Sequence, residues 1–202
     1  MKKMNLCLIV VLILFLAGCG PAMSLFPLYH DSDIVAEDSM VGEWTQQELK
    51  GESQKNSLGK EGCCWKIEPG DGGSYNMSFP LGKGNSHKLR VAIRVLKLDG
   101  KLFVDVAPQD IDPEKDKSTD VTFPSVPAHF FGRIWIEKDH IKMKLLEQDW
   151  LREAILKKQV RLDYVYPKDF LLTANTDDLQ HFAILFAENS DAFKDEYELV
   201  RK

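Results

Sequence analysis

The alternation of apolar and polar residues over positions 88–98 constrains the fold more than any other feature of the sequence. A period of two is typical of a β-strand that has one buried face and one solvated face. Two apolar residues adjoin at Val95 and Leu96, which predicts a bulge or a bend in the strand at that point. The residues predicted to face inward are Leu89, Val91, Ile93 and Val95.

Turn sequences connect this strand to others that follow it in the chain. Asp99-Gly100 is typical of a two-residue hairpin turn, and the return strand has Leu102, Val104 and Val106 on its inward face. A second hairpin pairs residues 133–137, with Ile134 and Ile136 inward, to residues 141–145. Further strands are predicted over 41–45, 63–68, 74–79 and 197–201. Consecutive hairpins of this kind indicate a mainly β fold with an antiparallel meander.

Two helices interrupt the predicted strands. Trp150, Leu151, Ala154 and Ile155 share one face of a helix over 149–158, as the spacing of an amphipathic helix requires. A second helix over 176–187 has Thr176 as its predicted N-cap and a similar apolar face. We expect this second helix to pack on the sheet.

The N-terminus has the organisation of an export signal. Lys2 and Lys3 precede an apolar run of twelve residues over 6–17, which is too short for a helix that spans a bilayer. We therefore assign residues 1–18 to a signal peptide. An ordinary secretory signal whose cleavage site happens to adjoin a cysteine is the alternative.

The residues Leu16-Ala17-Gly18-Cys19 resemble the lipobox of bacterial lipoproteins. The resemblance implies cleavage before Cys19 and acyl chains on its thiol and amine, which would hold the protein stably in a membrane of the cell envelope. Gly20 stands where an Asp favours retention in the inner membrane, so the resemblance favours the periplasmic face of the outer membrane. Residues 19–40 are predicted to be the lipidated N-terminus and a tether; the alternative is that residues 25–29 lie in the membrane interface.

Residues 41–202 resemble the lipocalins. Gly42-Glu43-Trp44 matches the Gly-x-Trp that opens the first strand of that family, and a helix followed by one short strand ends the domain. The resemblance implies a β-barrel of eight to ten strands with two packed helices, whose floor Gly42 and Trp44 help to form. It also implies a basic residue stacked on Trp44, with Arg161 and Arg201 as the candidates. Together with this pattern, the sequences Leu172-Thr173-Ala174-Asn175-Thr176 and Leu179-Gln180-x-Phe182 are also similar to small bacterial lipoproteins of unknown function, a resemblance that implies a fold but no activity.

Cys63 and Cys64 are adjacent in a predicted strand. Neighbouring strand residues point to opposite faces, so these two thiols are poorly placed to chelate one metal ion. An exported compartment is oxidising and permits a vicinal or an intermolecular disulfide. The alternative is one buried and one partly exposed thiol.

Asp105 and His129 form a candidate polar pair. Asp105 lies between Val104 and Val106, and His129 opens a strand that we expect to neighbour it. Such a pair orients a ligand or a general base, or it simply satisfies its own hydrogen bonds. None of the five histidines has the spacing of a zinc motif, and the sequence predicts neither a metal site nor a cofactor.

Net charge excludes one class of partner. The chain has 26 Lys and Arg against 31 Asp and Glu, and removal of the signal peptide makes the balance more acidic, which argues against binding of nucleic acid. The connection over 108–127 is long and acidic, and we interpret it as a solvated loop.

The expected function is non-enzymatic: binding of an apolar or amphipathic ligand inside the barrel, or maintenance of the envelope. The inward residues can equally fill the barrel and leave no cavity. The alternative is a scaffold for proteins of an envelope complex, which would use the loop over 108–127 and the basic stripe of Lys88, Arg90 and Arg94. A hydrolase based on His129 and Asp105 is the third possibility.

Overall fold

The computed structural model describes residues 20–47, 64–81, 87–109, 128–165 and 170–202. The α-helices in these ranges are α1 (Gln148–Leu156) and α2 (Thr176–Leu185), and single turns of 3-10 helix occur at Asp31–Asp33 and Asp38–Met40. The strands are β1 (Met23–Ser24), β2 (Gly42–Gln46), β3 (Cys64–Pro69), β4 (Tyr75–Leu81), β5 (His87–Leu98), β6 (Lys101–Pro108), β7 (His129–Ile136), β8 (His140–Leu146), β9 (Tyr164–Val165), β10 (Leu171–Leu172) and β11 (Phe193–Arg201).

Eight of the strands close into an antiparallel barrel. Strands β2 to β8 pair in chain order, β8 pairs with β11, and β11 returns to β2. The predicted mainly β fold, an antiparallel meander barrel with two helices, is therefore confirmed. Closure gives every barrel strand a partner on each side, which removes the exposed sheet edges.

The β5–β6 hairpin shows how the sequence pattern builds the wall. Asp99 and Gly100 have φ angles of 47° and 74°, as a tight hairpin turn with two left-handed residues requires. The pairing then continues from Leu98 opposite Lys101 to Val91 opposite Pro108 without a shift. The bulge predicted at Val95 and Leu96 is therefore wrong. The two residues adjoin because both faces of the strand are buried there: Val95 faces the barrel interior, and Leu96 packs against a second apolar layer outside.

The outer layer contains both helices. Leu151 and Ala154 of α1 and Leu179 and Phe182 of α2 pack with Leu96 and other outward residues of the wall. The predicted apolar faces of the two helices are thereby confirmed. The first residues of each helix differ from the prediction, because Glu147 caps α1 and Asn175, not Thr176, caps α2. Thr176 is already helical, and its hydroxyl donates to the carbonyl oxygen of Pro27 at 2.9 Å.

The segment over 20–40 lies on the barrel and is not the free tether that the sequence predicts for residues 19–40. Pro21 bridges to Glu147, and Ile34 bridges to Leu96. Ala22 and Leu28 are fully buried in the outer layer. The sequence does not predict this packing because the apolar residues of the segment follow no regular spacing. Each of them fills a separate gap between the helices and the wall.

A small sheet extends the wall beyond the barrel. Strand β1 pairs antiparallel with the beginning of β7, β10 pairs parallel with β1, and β9 pairs antiparallel with β10. We refer to β1, β10 and β9 together as the side sheet. It lies at the end of the barrel where β8 leaves the wall and continues into α1.

Candidate functional site

The barrel interior contains one of the two apolar clusters of the described structure, and the outer layer contains the other. The eight residues predicted to face inward all lie in the interior cluster or pack against it, as predicted. They are Leu89, Val91, Ile93, Leu102, Val104, Val106, Ile134 and Ile136. The interior divides into two halves that differ in packing and in how their polar atoms are satisfied.

The lower lumen is the half nearest the start of β2 and the turns that follow β3, β5 and β7. Most of its side chains are only 0–1 % exposed, so they pack against one another on all sides. Tyr75 is 5 % exposed, and Leu102 and Ile136 beside the turns are partly buried. This half of the barrel is filled. The residues are Trp44, Ile67, Ile93, Val95, Val104, Ile134, Ile141 and Leu199.

Trp44 and Arg201 close the lower lumen. The indole N–H of Trp44 donates to the carbonyl oxygen of Met40 at 2.8 Å, and the Arg201 guanidinium lies 4.3 Å from the centre of the ring. Arg201 also donates from Nη1 to the carbonyl oxygen of Val41 at 3.2 Å. Of the two basic candidates, Arg201 therefore stacks on the tryptophan.

Gly42 permits this stacking. Its φ of +149° disfavours a side chain, and a Cβ there would lie 2.7 Å from Nη1 of Arg201. A larger residue at position 42 would push the guanidinium away from Trp44. Gly42 and Trp44 thus lie together with Arg201 at the lower end of the barrel.

The upper lumen is the opposite half. It is still apolar, but its side chains are 2–8 % exposed, and Val106 and Leu145 above them are only partly buried. The rings of Trp65 and Phe79 stack with centroids 4.5 Å apart, and Tyr197 lies 6.4 Å from Trp65. The residues are Trp65, Phe79, Leu89, Val91, Met143 and Tyr197.

Two polar atoms of the described residues in the barrel interior have no hydrogen-bond partner. They are the Nε1–H of Trp65, a donor, and the Oε1 of Gln46, an acceptor. Both side chains face the lumen, since Trp65 is opposite Trp44 in the β2–β3 register and Gln46 is two residues beyond Trp44. Burial of such an atom without a partner costs about 1–3 kcal/mol, so each unpaired atom requires an explanation.

Asp105 and His129 meet on the outer face of the barrel. Asp105 is 1 % exposed; its Oδ1 is 2.7 Å from Nδ1 of His129, and its Oδ2 accepts from the backbone N–H of Leu28 at 2.9 Å. Both carboxylate oxygens are therefore engaged. This geometry fixes the segment over 20–40 to the wall.

Tyr29 and Arg94 cover the same pair. Arg94 lies 4.8 Å from the Tyr29 ring centre, and the ring of Tyr29 contacts His129 edge-on with centroids 6.5 Å apart. Burial raises the pKa of the Tyr29 hydroxyl, and Arg94 lowers it in part. Arg94, a member of the predicted basic stripe, thus packs against the ring of Tyr29.

The cysteines are only partly within the described residues. Cys19 and Cys63 lie outside them, so the structure gives no geometry for the lipid attachment site or for a Cys63–Cys64 disulfide. Cys64 is exposed on the outside of the barrel, and its Sγ lies 3.2 Å from the ammonium of Lys202. That contact raises the pKa of Lys202.

Arg133 is a buried charge that the sequence analysis missed. It is 6 % exposed, and its guanidinium lies between the rings of Phe103 and Trp135, at 5.1 and 5.0 Å from their centres. Burial lowers its pKa, and Glu188, whose Oε1 lies 3.4 Å from Nη1, raises it in part. The alternation of β7 places Arg133 outward, but only the outer layer, which is formed by distant residues, buries it.

The remaining sequence candidates do not assemble into a site. No three His, Cys, Asp or Glu side chains within the described ranges are placed to hold a metal ion. Residues 110–127 of the predicted acidic loop lie outside those ranges. Among the helices that can be described, none is long and apolar enough to cross a membrane.

Comparison of the chain with protein-family models, with curated proteins and with solved structures gives no match. The function must therefore be inferred from the residues and their geometry.

Proposed function

We propose that the protein is a lipoprotein of the bacterial cell envelope that binds an apolar or amphipathic small molecule in the upper lumen of a lipocalin-like barrel. Cys19, at the end of the lipobox-like sequence, carries the acyl chains that anchor it to the membrane. Gly20 after this cysteine favours the periplasmic face of the outer membrane.

The lipocalin-like assignment is supported by the barrel and by its floor. The barrel has eight antiparallel strands in meander order, and Trp44 at the start of β2 is covered by Arg201 near the chain end. These features have the positions that the sequence resemblance implies. The likeness bears on the fold and does not name a ligand.

The unpaired Nε1–H of Trp65 is the observation that carries the binding proposal. It lies among Phe79, Tyr197 and aliphatic side chains, in the half of the barrel that is less tightly filled. An apolar lining with a few convergent polar groups is typical of small-molecule sites. A ligand with one acceptor on an apolar body would satisfy this donor, and a hydroxyl on such a ligand would also donate to Oε1 of Gln46.

The test is a titration of the unlipidated protein, residues 19–202 with Cys19→Ser, with a long-chain fatty acid, a lysolipid and a sterol. We expect tryptophan fluorescence to change with at least one of the three. Isothermal titration calorimetry measures the affinity independently of the fluorescent residue. No binding of any of the three classes by either method would exclude the carrier function.

A matched pair of variants identifies the site. Trp65→Phe removes the unpaired donor and keeps an aromatic ring, so it should weaken binding about tenfold, the value of one hydrogen bond of about 1.4 kcal/mol. Trp135→Phe is the control, because Trp135 is on the outside of the barrel and 38 % exposed. Equal affinities of the two variants would place the ligand elsewhere.

A further inference from the structure

The two faces of the side sheet have very different environments. Ser24 and Leu172, which pair with each other across β1 and β10, are fully buried on one face. On the other face, Met23 pairs with Leu171, and Leu171 pairs with Val165. Val165 is 50 % exposed, and Met23 and Leu171 are partly exposed. The face that is turned away from the helices is therefore apolar and partly exposed to solvent.

The segment after β1 enlarges this apolar surface. The backbone N–H of Leu25 donates to the carbonyl oxygen of Leu172 at 2.9 Å, so Leu25 continues the strand pairing and lies on the same side as Met23. Leu25 is exposed, and so is Phe26 in the bend that follows it. We refer to the residues on the side of Met23 as the apolar face; its members are Met23, Leu25, Val165 and Leu171. None of the four is charged, and exposed apolar surfaces of this kind mark contacts with proteins or membranes.

The position of Cys19 selects a membrane as the occupant. The carbonyl oxygen of Gly20 accepts from the backbone N–H of Gln148 at 3.3 Å, and Pro21 is bridged to Glu147. The chain is thus fixed to the domain one residue after Cys19. Met23 is the fourth residue after Cys19, so the two Cα atoms are at most about 14 Å apart even when the chain is fully extended. A lipid on Cys19 would therefore hold the apolar face at the bilayer surface.

We propose that the apolar face docks the domain onto the lipid bilayer, with its side chains in the interfacial region. This inference rests on the proposed lipid attachment at Cys19. The docking also orients the barrel. Met23 pairs with Phe130 of β7, and Gly132 and Ile134 follow Phe130 at every second position, on the lumen side of that strand. The upper end of the lumen then lies beside the bilayer, from which an apolar ligand can enter without crossing water.

Photocrosslinking of the full lipidated protein, reconstituted in phosphatidylcholine vesicles, tests the docking. Val165 and Leu25 are each replaced by p-benzoylphenylalanine, and Leu185 of α2 is the control position. Leu185 is 68 % exposed, more than Val165 or Leu25, so labelling by exposure alone would favour the control. We expect at least fivefold more lipid crosslinking from Val165 and Leu25 than from Leu185.

The outcomes separate the docking from the anchoring. Retention of the unsubstituted protein on vesicles after an alkaline wash, and the acyl mass on Cys19, test the anchoring alone. If the protein is anchored but Leu185 labels lipid as strongly as Val165, or if Val165 crosslinks to a second protein chain in place of lipid, the docking is wrong and the anchoring stands. If the protein is neither acylated nor retained, the anchoring fails and the docking fails with it.

Discussion

Trp44 and Trp65 lie directly opposite each other on neighbouring strands, and both are almost completely buried in the same barrel. Their indole N–H groups nevertheless differ: that of Trp44 donates to Met40, whereas that of Trp65 has no partner. The difference follows the two halves of the lumen. The lower lumen is filled and its polar atom is satisfied, while the upper lumen is slightly open and keeps an unpaired donor.

Under the proposed function, this contrast would separate the residues that stabilise the fold from those that bind the ligand. A satisfied buried hydrogen bond stabilises the fold modestly, and an unsatisfied donor destabilises it by a larger amount. Retaining the unpaired donor of Trp65 is therefore costly to the free protein. Sites that bind ligands commonly carry such a cost, since the ligand removes it on binding.

Truncation of Trp44 should give the largest effect on stability. Trp44→Ala removes a fully buried ring from the filled half and should lower the free energy of unfolding by about 3–5 kcal/mol, measured by urea denaturation of the unlipidated protein. Trp135→Ala is the control on the outer surface and should cost about 1 kcal/mol. Similar losses for the two variants would mean that the lower lumen is not the core of the fold.

Matched valines compare the two halves on a single strand. Val95 is fully buried in the lower lumen, and Val91, four residues away on β5, is 6 % exposed in the upper lumen. Val95→Ala should cost about 2 kcal/mol, because the rigid surroundings leave a cavity, and Val91→Ala should cost about 1 kcal/mol. Urea denaturation of both variants measures the difference. An equal or reversed order would show that the upper lumen is as tightly packed as the lower.

The two tryptophans should respond in opposite ways to replacement by phenylalanine. Trp44→Phe breaks the hydrogen bond to Met40 and should destabilise the protein by about 1–2 kcal/mol. Trp65→Phe reduces the buried ring area but also removes an unpaired donor. These effects oppose each other, so the free energy of unfolding should change by less than about 0.5 kcal/mol. Thermal and urea denaturation of both variants test this. A loss for Trp65→Phe equal to that for Trp44→Phe would indicate that Nε1 of Trp65 is satisfied in solution.

The sequence predicts the strands of the barrel wall, but it does not predict which residues pack against the outside of the wall. Alternation along β5 and β6 and the Asp99-Gly100 turn are local signals, and they predicted both the strands and their inward residues. The packing of Leu28 and Ala22 depends on gaps between distant elements, so the sequence predicts a tether over 19–40 where the structure has a packed segment over 20–40. The sequence also placed Asp105 and His129 on neighbouring strands, but the backbone N–H of Leu28 that engages the carboxylate comes from that same segment.

The candidate site was predictable only in part. The apolar character of the lumen follows from the strand pattern, whereas the division into a filled and a less filled half depends on the shapes of side chains from eight strands. Nothing in the sequence distinguishes the N–H of Trp65 from that of Trp44. The difference arises because the 3-10 turn at Asp38–Met40 brings a carbonyl oxygen beneath the floor, whereas no described residue accepts from Nε1 of Trp65.

Ion pairs on the outer face of β8 and β11 should make the free energy of unfolding depend on acid pH. This is the smallest of the four predicted effects. Lys142 on β8 pairs with Glu196 and Glu198 on β11, and Lys144 lies 3.0 Å from Glu196. Burial raises the pKa of Glu196, but hydrogen bonds from Lys142 and Lys144 lower it by more, so the pKa lies below its ordinary value.

These ion pairs therefore stabilise the fold above about pH 4.5, and their contribution is lost as the pH falls through the lowered pKa. Glu196→Gln should cost about 0.5 kcal/mol at pH 7 and less at about pH 2, measured by urea denaturation at each pH. Because these charges lie outside the barrel, Trp65→Phe should show the same change in stability at both pH values; a pH-dependent difference would connect the wall to the upper lumen.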